Sequence, residues 1–365
     1  MNITQKYLIN GPNNVIRLTN DDKVIYIFGD YHLEPNNQVE CAISEAYETL
    51  DIDKFLIKFF KTNKTIKYDL FVEMENSSID FYKYTAKKYR SIYIHQVRKI
   101  LGAEYTIKDN KVIISKNYPN IRFHYFDFRV NFLHFYDIQN VNFYYIFPYS
   151  FYNLIDITKN LSVLISYYEN LLIFLSSNDN IYVNKIKNKY NNPENKKKFN
   201  FIYNLLVIKF INEIILLCKL TLKYINKNEK NLYNKFLTPD EKIKYQKFIL
   251  SNLIKISHYQ TLPYAILTDL YLLRRIIDKN YTKNNIIYCG LFHFIDITVI
   301  LVKLFDYKIS NLYYSEKITD INKTIQKIKL NDYTYMEKFT RLLSNDYNDI
   351  VEQCVNLFDF PPNFT

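Results

Sequence analysis

Two apolar runs in this chain each close on a glycine and reach a histidine three residues later. The first is Val24-Ile25-Tyr26-Ile27-Phe28-Gly29, leading through Asp30-Tyr31 to His32; the second is Ile286-Ile287-Tyr288-Cys289-Gly290, leading through Leu291-Phe292 to His293. Continuous apolar runs of this length predict strands covered on both faces. Residues 69–72, ending at Glu73, and 121–128, ending at Arg129, predict two more strands, and 308–313 a last one. Val39, Ala42, Ile43, Ala46 and Leu50 follow helical spacing, so the first strand is expected to feed a helix. Further helices are expected over 82–101, 154–175, 201–225, 262–279, 296–304 and in the C-terminal part from 318 to 358. Thr238-Pro239-Asp240-Glu241 reads as a helix start, with Thr at the N-cap and Pro at the first helical position. The stretch 176–200 is polar, rich in Asn and Lys, and contains Pro193, which predicts a loop.

Strand–helix alternation at both ends with a helical middle predicts an α/β fold. Its central, mostly parallel sheet is flanked by helices, and a large helical insertion sits in the middle of the chain. On this reading 1–135 is the first half of the α/β core and 136–260 a helical insertion with a Lys/Asn-rich loop near 176–200. Residues 261–365 are then the second half of the core and the C-terminal helices. The two G-x-x-H units would lie side by side and present His32 and His293 to one crevice. Such crevices form at the carboxyl edge of a sheet, where α/β proteins build their sites.

Composition changes this picture little. The chain holds 365 residues, with 36 Tyr, 27 Phe, no Trp and 4 Gly, and its Asn, Ile and Lys excess fits AT-rich coding. The net charge of +11 raises a nucleic-acid reading, with Lys185 to Lys198 as the contact. Residues 183–248, however, carry 15 Lys against 5 acidic residues and no Arg, the residue suited to bidentate phosphate and base contacts. A solvated lysine-rich face is therefore expected, and nucleic acid is not the expected partner. Cys41, Cys218, Cys289 and Cys354 are scattered and form no C-x-x-C, and no apolar segment follows Met1 as a signal peptide would require. Reduced thiols and a cytoplasmic location are the expectation. No transmembrane segment is expected either, because Lys209, Glu213, Lys219 and Lys223 interrupt the most apolar stretch, 201–225.

The sheet edge gathers the candidate chemistry: Asp30, His32 and Glu34 from the first strand, Glu73 and Glu75 from the second, Asp127 and Arg129 from the third, and His293 from the fourth. Two histidines and a carboxylate, His32, His293 and Glu73, form a ligand set for Mn, Co, Zn or Fe. Such a metal would lower the pKa of a bound water, a second carboxylate such as Glu75 would act as base, and Arg129 would hold a substrate carboxylate or a developing oxyanion. Arg274 and Arg275, on the helix before the fourth strand, could reach the same edge. Each residue has a plainer role. A strand-end histidine can simply hydrogen-bond, Asp127 and Arg129 can pair, and Arg275 can neutralise a helix C-terminus. His95, His124, His134 and His258 share no context and are read as structural.

These motifs resemble the TIKI/TraB family, related more distantly to ChaN-like and erythromycin-esterase-like proteins. The resemblance runs through Gly29 to His32, Glu73, Arg129, Arg274 or Arg275, and Gly290 to His293, with the helix and strand over 295–309 similar to the family's ending. It covers about 24–130 and 262–313, and the first motif departs from it in carrying Asp30-Tyr31 where small residues are common. The resemblance implies a divalent-metal-dependent hydrolase, peptidase-like, acting on a peptide or small-molecule substrate. The alternative is a non-catalytic ligand- or protein-binding module on the same scaffold, with the aromatic-rich helical middle as its contact surface for a protein partner.

Overall fold

The computed structural model of the chain describes residues 7–21, 23–32, 39–74, 93–108, 111–113, 115–127, 154–177, 180–232, 238–260, 262–279, 281–313, 318–330, 339 and 352–365. They fall in two compact units, one of 1–128 with 272–365 and one of 129–271.

In the first unit, Tyr7–Asn10 (β1) and Asn14–Thr19 (β2) precede Val24–Asp30 (β3), the first strand expected. The helix expected over 39–50 does not form: residues 40–47 are irregular, Glu48–Asp51 is a strand (β4), and the helix Ile52–Thr62 (α1) comes only after it. The reason is burial. Ile43 stands fully exposed and Val39 is 40 % exposed, whereas Phe55, Leu56, Phe59 and Phe60 of α1 are inside. Next come Tyr68–Val72 (β5), Tyr93–Ala103 (α2), a hairpin of Thr106–Lys108 (β6) and Lys111–Ile113 (β7), and Ile121–Tyr125 (β8). Residues 82–92 of the helix expected over 82–101 lie outside the described residues.

The second unit is helical: Leu154–Ser176 (α3), Ile181–Asn188 (α4), Pro193–Ile202 (α5), a π-helical turn over Tyr203–Ile208, Lys209–Leu232 (α6), Pro239–Tyr259 (α7), and Leu262–Asp278 (α8) as far as Tyr271. The loop expected over 176–200 is a correction, since two helices occupy it. Asn180 accepts the Tyr182 and Val183 N–H groups, and Asn192 accepts that of Glu194 with Pro193 at the first position. Asparagines that suggest a loop here act as N-caps. Val183, Ile186, Phe199 and Ile202 supply buried faces that the polar composition conceals.

The first unit resumes with Asn284–Gly290 (β9), Leu291–Leu304 (α9), Lys308–Leu312 (β10), Ile318–Lys327 (α10) and Cys354–Asn356 (β11). Among the described residues the C-terminal helix expected over 318–358 holds for α10 and at Phe339, and β11 is a strand because it pairs antiparallel with β1. The central sheet has the order β10-β2-β3-β9-β5-β8. β3, β9, β5 and β8 are mutually parallel, and β2 and β10 form an antiparallel edge. The fold is thus an α/β sheet, mostly parallel and flanked by helices, with a helical middle. Tyr26, Phe28, Tyr68, Leu70, Val72, Ile286 and Tyr288 form one face of the core, with the buried side chains of α1. A smaller sheet, β11-β1-β4, completes the unit.

Cys41 and Cys354 are joined by a disulfide, while Cys218 and Cys289 are buried thiols. This corrects the expectation of four reduced cysteines. The pair lies 313 residues apart in sequence, so no spacing motif announces it. Among the described residues no helix is long and apolar enough to cross a membrane.

Candidate functional site

β3 and β5 leave a slot between them, and β9 fills it, in register with both. Asp30 is therefore level with Gly290, and the Glu73 N–H continues the ladder by donating to the Tyr288 carbonyl at 3.1 Å. This juxtaposition brings the two G-x-x-H units side by side and sets Glu73 next to them, as the sequence pattern predicts.

Glu73 is buried, and its carboxylate lies between two imidazoles. His32 Nε2 is 3.5 Å from Oε2, and His293 Nε2 is 3.5 Å from Oε1. The Gly290 N–H donates to Oε2 at 2.7 Å, where β9 ends and α9 begins. His293 sits in the first turn of α9, buried, with its ring edge-on to Phe126 at 6.1 Å. Arg98 of α2 donates its Nε to the Glu73 backbone carbonyl. Glu73 is thus fixed at its amide, its carbonyl and one carboxylate oxygen.

His32 is held differently. Its φ is 54°, in the left-handed region that costs a residue with a Cβ about 1–2 kcal/mol. Asp30 stabilises this turn by accepting the His32 N–H at 2.8 Å, an Asx turn, and its second oxygen lies 3.5 Å from His32 Nδ1. Asp30 is itself buried and accepts the Tyr288 hydroxyl at 3.0 Å and Gln353 Nε2 at 2.9 Å. Burial alone would lower the His32 pKa. The hydrogen bonds and charges of Asp30 and Glu73 together outweigh it and push the pKa up to about 9. The Tyr288 hydroxyl, buried against Asp30, is held well above its usual range.

The other expected residues are distributed unevenly. Glu34, Glu75 and Arg129 lie outside the described residues. Asp127 is buried just beyond β8, its N–H donating to the Met74 carbonyl at 3.1 Å. Arg275 reaches His124 Nδ1 at 2.5 Å and the Tyr125 carbonyl at 3.5 Å. Arg274 is buried. His124, Arg275, Arg122 and Asp69 form a separate cluster: Arg122 binds both Asp69 oxygens, and His124 Nε2 is 2.9 Å from one of them. Burial and the Arg275 charge push the His124 pKa down to about 4, despite Asp69. Sequence reasoning passes over Gln353, Tyr288 and Arg98, the supports of Asp30 and Glu73. Only Tyr288 carries a signal, its place within the second motif.

Separations of 3.5 Å are long for charge-assisted hydrogen bonds. Two ligands about 2.1 Å from one ion at a tetrahedral angle stand roughly 3.4 Å apart, so the spacing fits co-ligands. The two rings face different oxygens, however, and among the described residues no group of three His, Cys, Asp or Glu is already gathered around one point.

A family model described as "Family of unknown function (DUF5847)" matches residues 7–235 and 175–365. Among curated proteins the chain is 27 % identical to uncharacterised protein R706 of Acanthamoeba polyphaga mimivirus, over 98 % of this chain and 97 % of that protein. It is 28 % identical to uncharacterised protein R161 of the same virus, over 98 % of each. No solved structure matches significantly. These matches overturn the resemblance to the TIKI/TraB family, which rested on four-residue motifs and single charged residues, whereas the DUF5847 match spans nearly the whole sequence. The chain belongs to the family of unknown function DUF5847.

Proposed function

We propose that the chain is a divalent-metal-dependent hydrolase, with His32, His293 and Glu73 as the ligands of Mn, Co, Zn or Fe and a peptide or small molecule as substrate. The observation that carries this reading is the buried Glu73 carboxylate between two imidazole Nε2 atoms, each 3.5 Å away. Its support is the left-handed backbone at His32, a strained conformation at a site of polar convergence. A bound ion of this class lowers the pKa of its water toward neutrality and polarises a carbonyl. The chain's own residues do the rest. The Gly290 N–H and the Arg98 contact hold Glu73, and Asp30 holds the His32 turn through its backbone N–H.

The test is elemental analysis of the purified chain beside a His32→Ala, His293→Ala double variant. About one transition metal per chain, lost in the double variant, is the expected result. Equal metal in both, or none in either after incubation with each ion, would sink the proposal. A second reading, a protein-binding module, is favoured by Leu216 and Leu220, which stand exposed one turn apart on α6.

A further inference from the structure

We propose that the Cys41–Cys354 disulfide is a redox control on the ordering of His32. Gln353, next to the bonded Cys354, is completely buried, and its Nε2 donates both to the Gly11 carbonyl at 2.8 Å and to Asp30 Oδ1 at 2.9 Å. That same Asp30 oxygen holds the His32 N–H. The Gln353 backbone is tied as well, its N–H to the Val39 carbonyl at 2.8 Å and its carbonyl to the Gly11 N–H at 3.0 Å. One short path therefore runs from the disulfide through Gln353 and Asp30 to the strained residue of the candidate site.

The two ends of the cross-link are held unequally: Val355, Leu357, Phe360 and Phe364 seat the residues after Cys354 in the core, whereas 40–47, at the Cys41 end, is irregular and mostly exposed. β11 has three residues and pairs with β1 at three positions, and beyond them Val39 and Glu352 form a single bridge. The disulfide joins these segments across 313 residues of chain. Opening it releases the irregular Cys41 segment, whose Val39 carbonyl holds the Gln353 N–H, and the hold of Gln353 on Asp30 loosens with it. Cys41 is partly exposed while Cys354 is buried, so a reductant meets the Cys41 sulfur first. A dithiol reductant attacks Cys41 Sγ as thiolate, and Cys354 leaves as thiolate and takes a proton. The reductant's second thiol then displaces Cys41 Sγ, which also takes a proton. Two electrons pass to the protein, and the reductant becomes a cyclic disulfide. Cys218 does not compete, because burial pushes its thiol up to about 12.

This inference is independent of the metal reading, because its readout is amide exchange in metal-free buffer. The full chain is compared by hydrogen–deuterium exchange with and without dithiothreitol, beside Cys41→Ser and Gln353→Leu. Protein purified without reductant should show two thiols when denatured. On reduction, peptides covering 7–11 and 28–32 should exchange about tenfold faster, while β5 and β9 stay protected. Cys41→Ser should match the reduced protein whether or not reductant is present. Gln353→Leu should show the faster exchange at 28–32 with the disulfide intact. Four thiols in the purified protein, or unchanged exchange at 28–32 on reduction, overturns the proposal. Equal loss of protection across β5 and β9 also overturns it, since the bond would then be a staple for the whole fold.

Discussion

Gly290 has φ −64° and ψ 155°, a backbone that any residue adopts, so conformation does not explain the glycine. Its neighbours do. A Cβ there would stand 2.7 Å from His32 Nε2 and 3.3 Å from Glu73 Oε2, because both side chains reach toward each other over the end of β9. The obstructing atoms are the far ends of side chains that can swing aside. Gly290→Ala is therefore expected to fold with stability within about 1 kcal/mol of the parent. It should nevertheless lose the His32–Glu73 approach, and its metal content should fall to that of the double histidine variant; thermal melting beside elemental analysis checks both. Gly29 answers to a different neighbour, since a Cβ there would meet the Phe294 ring at 3.1 Å and push on the seat of α9. Two glycines in matched motifs thus serve two purposes, one making room for the approach of His32 to Glu73 and the other for packing.

At the scale of elements, what the sequence revealed depended on how far each element's stability is local. β3, β5 and β9 carry apolar runs buried along most of their length, and each is legible without its partners. The helices of 181–202 are not legible that way, since their polar faces dominate and only four side chains are fully inside. Their starts depend on asparagine caps. Asn180 accepts two backbone N–H groups, so Asn180→Ala should destabilise the chain by about 1 kcal/mol in denaturant unfolding. No measurable change would mean that the cap is redundant with the packing of Val183 and Ile186. β11 and β4 were illegible for a further reason. Strands of three and four residues carry too few positions to show a period, and pairing with β1 is what makes them strands.

For the whole molecule, the raised pKa of His32 links the candidate site to stability. The folded chain holds the His32 proton to about pH 9, against an ordinary value of 6.5, so it binds that proton more tightly than the unfolded chain. The contribution is complete below about pH 6.5 and is lost as pH rises through about 9. Metal-free protein should therefore lose stability across that window in denaturant titrations, and His32→Gln should flatten the slope. An equal slope in the variant would place the effect on another group. The sequence by itself determined the strands that end in Gly29, Glu73 and Gly290, the helical middle, and the histidine pair. Burial along a strand or one helix face leaves a local record in the order of residues. Only the tertiary structure decided that β9 enters between β3 and β5, that Gln353 supports Asp30, and that Cys41 meets Cys354. Those contacts join residues hundreds apart, where pairing and burial select partners that no local period encodes.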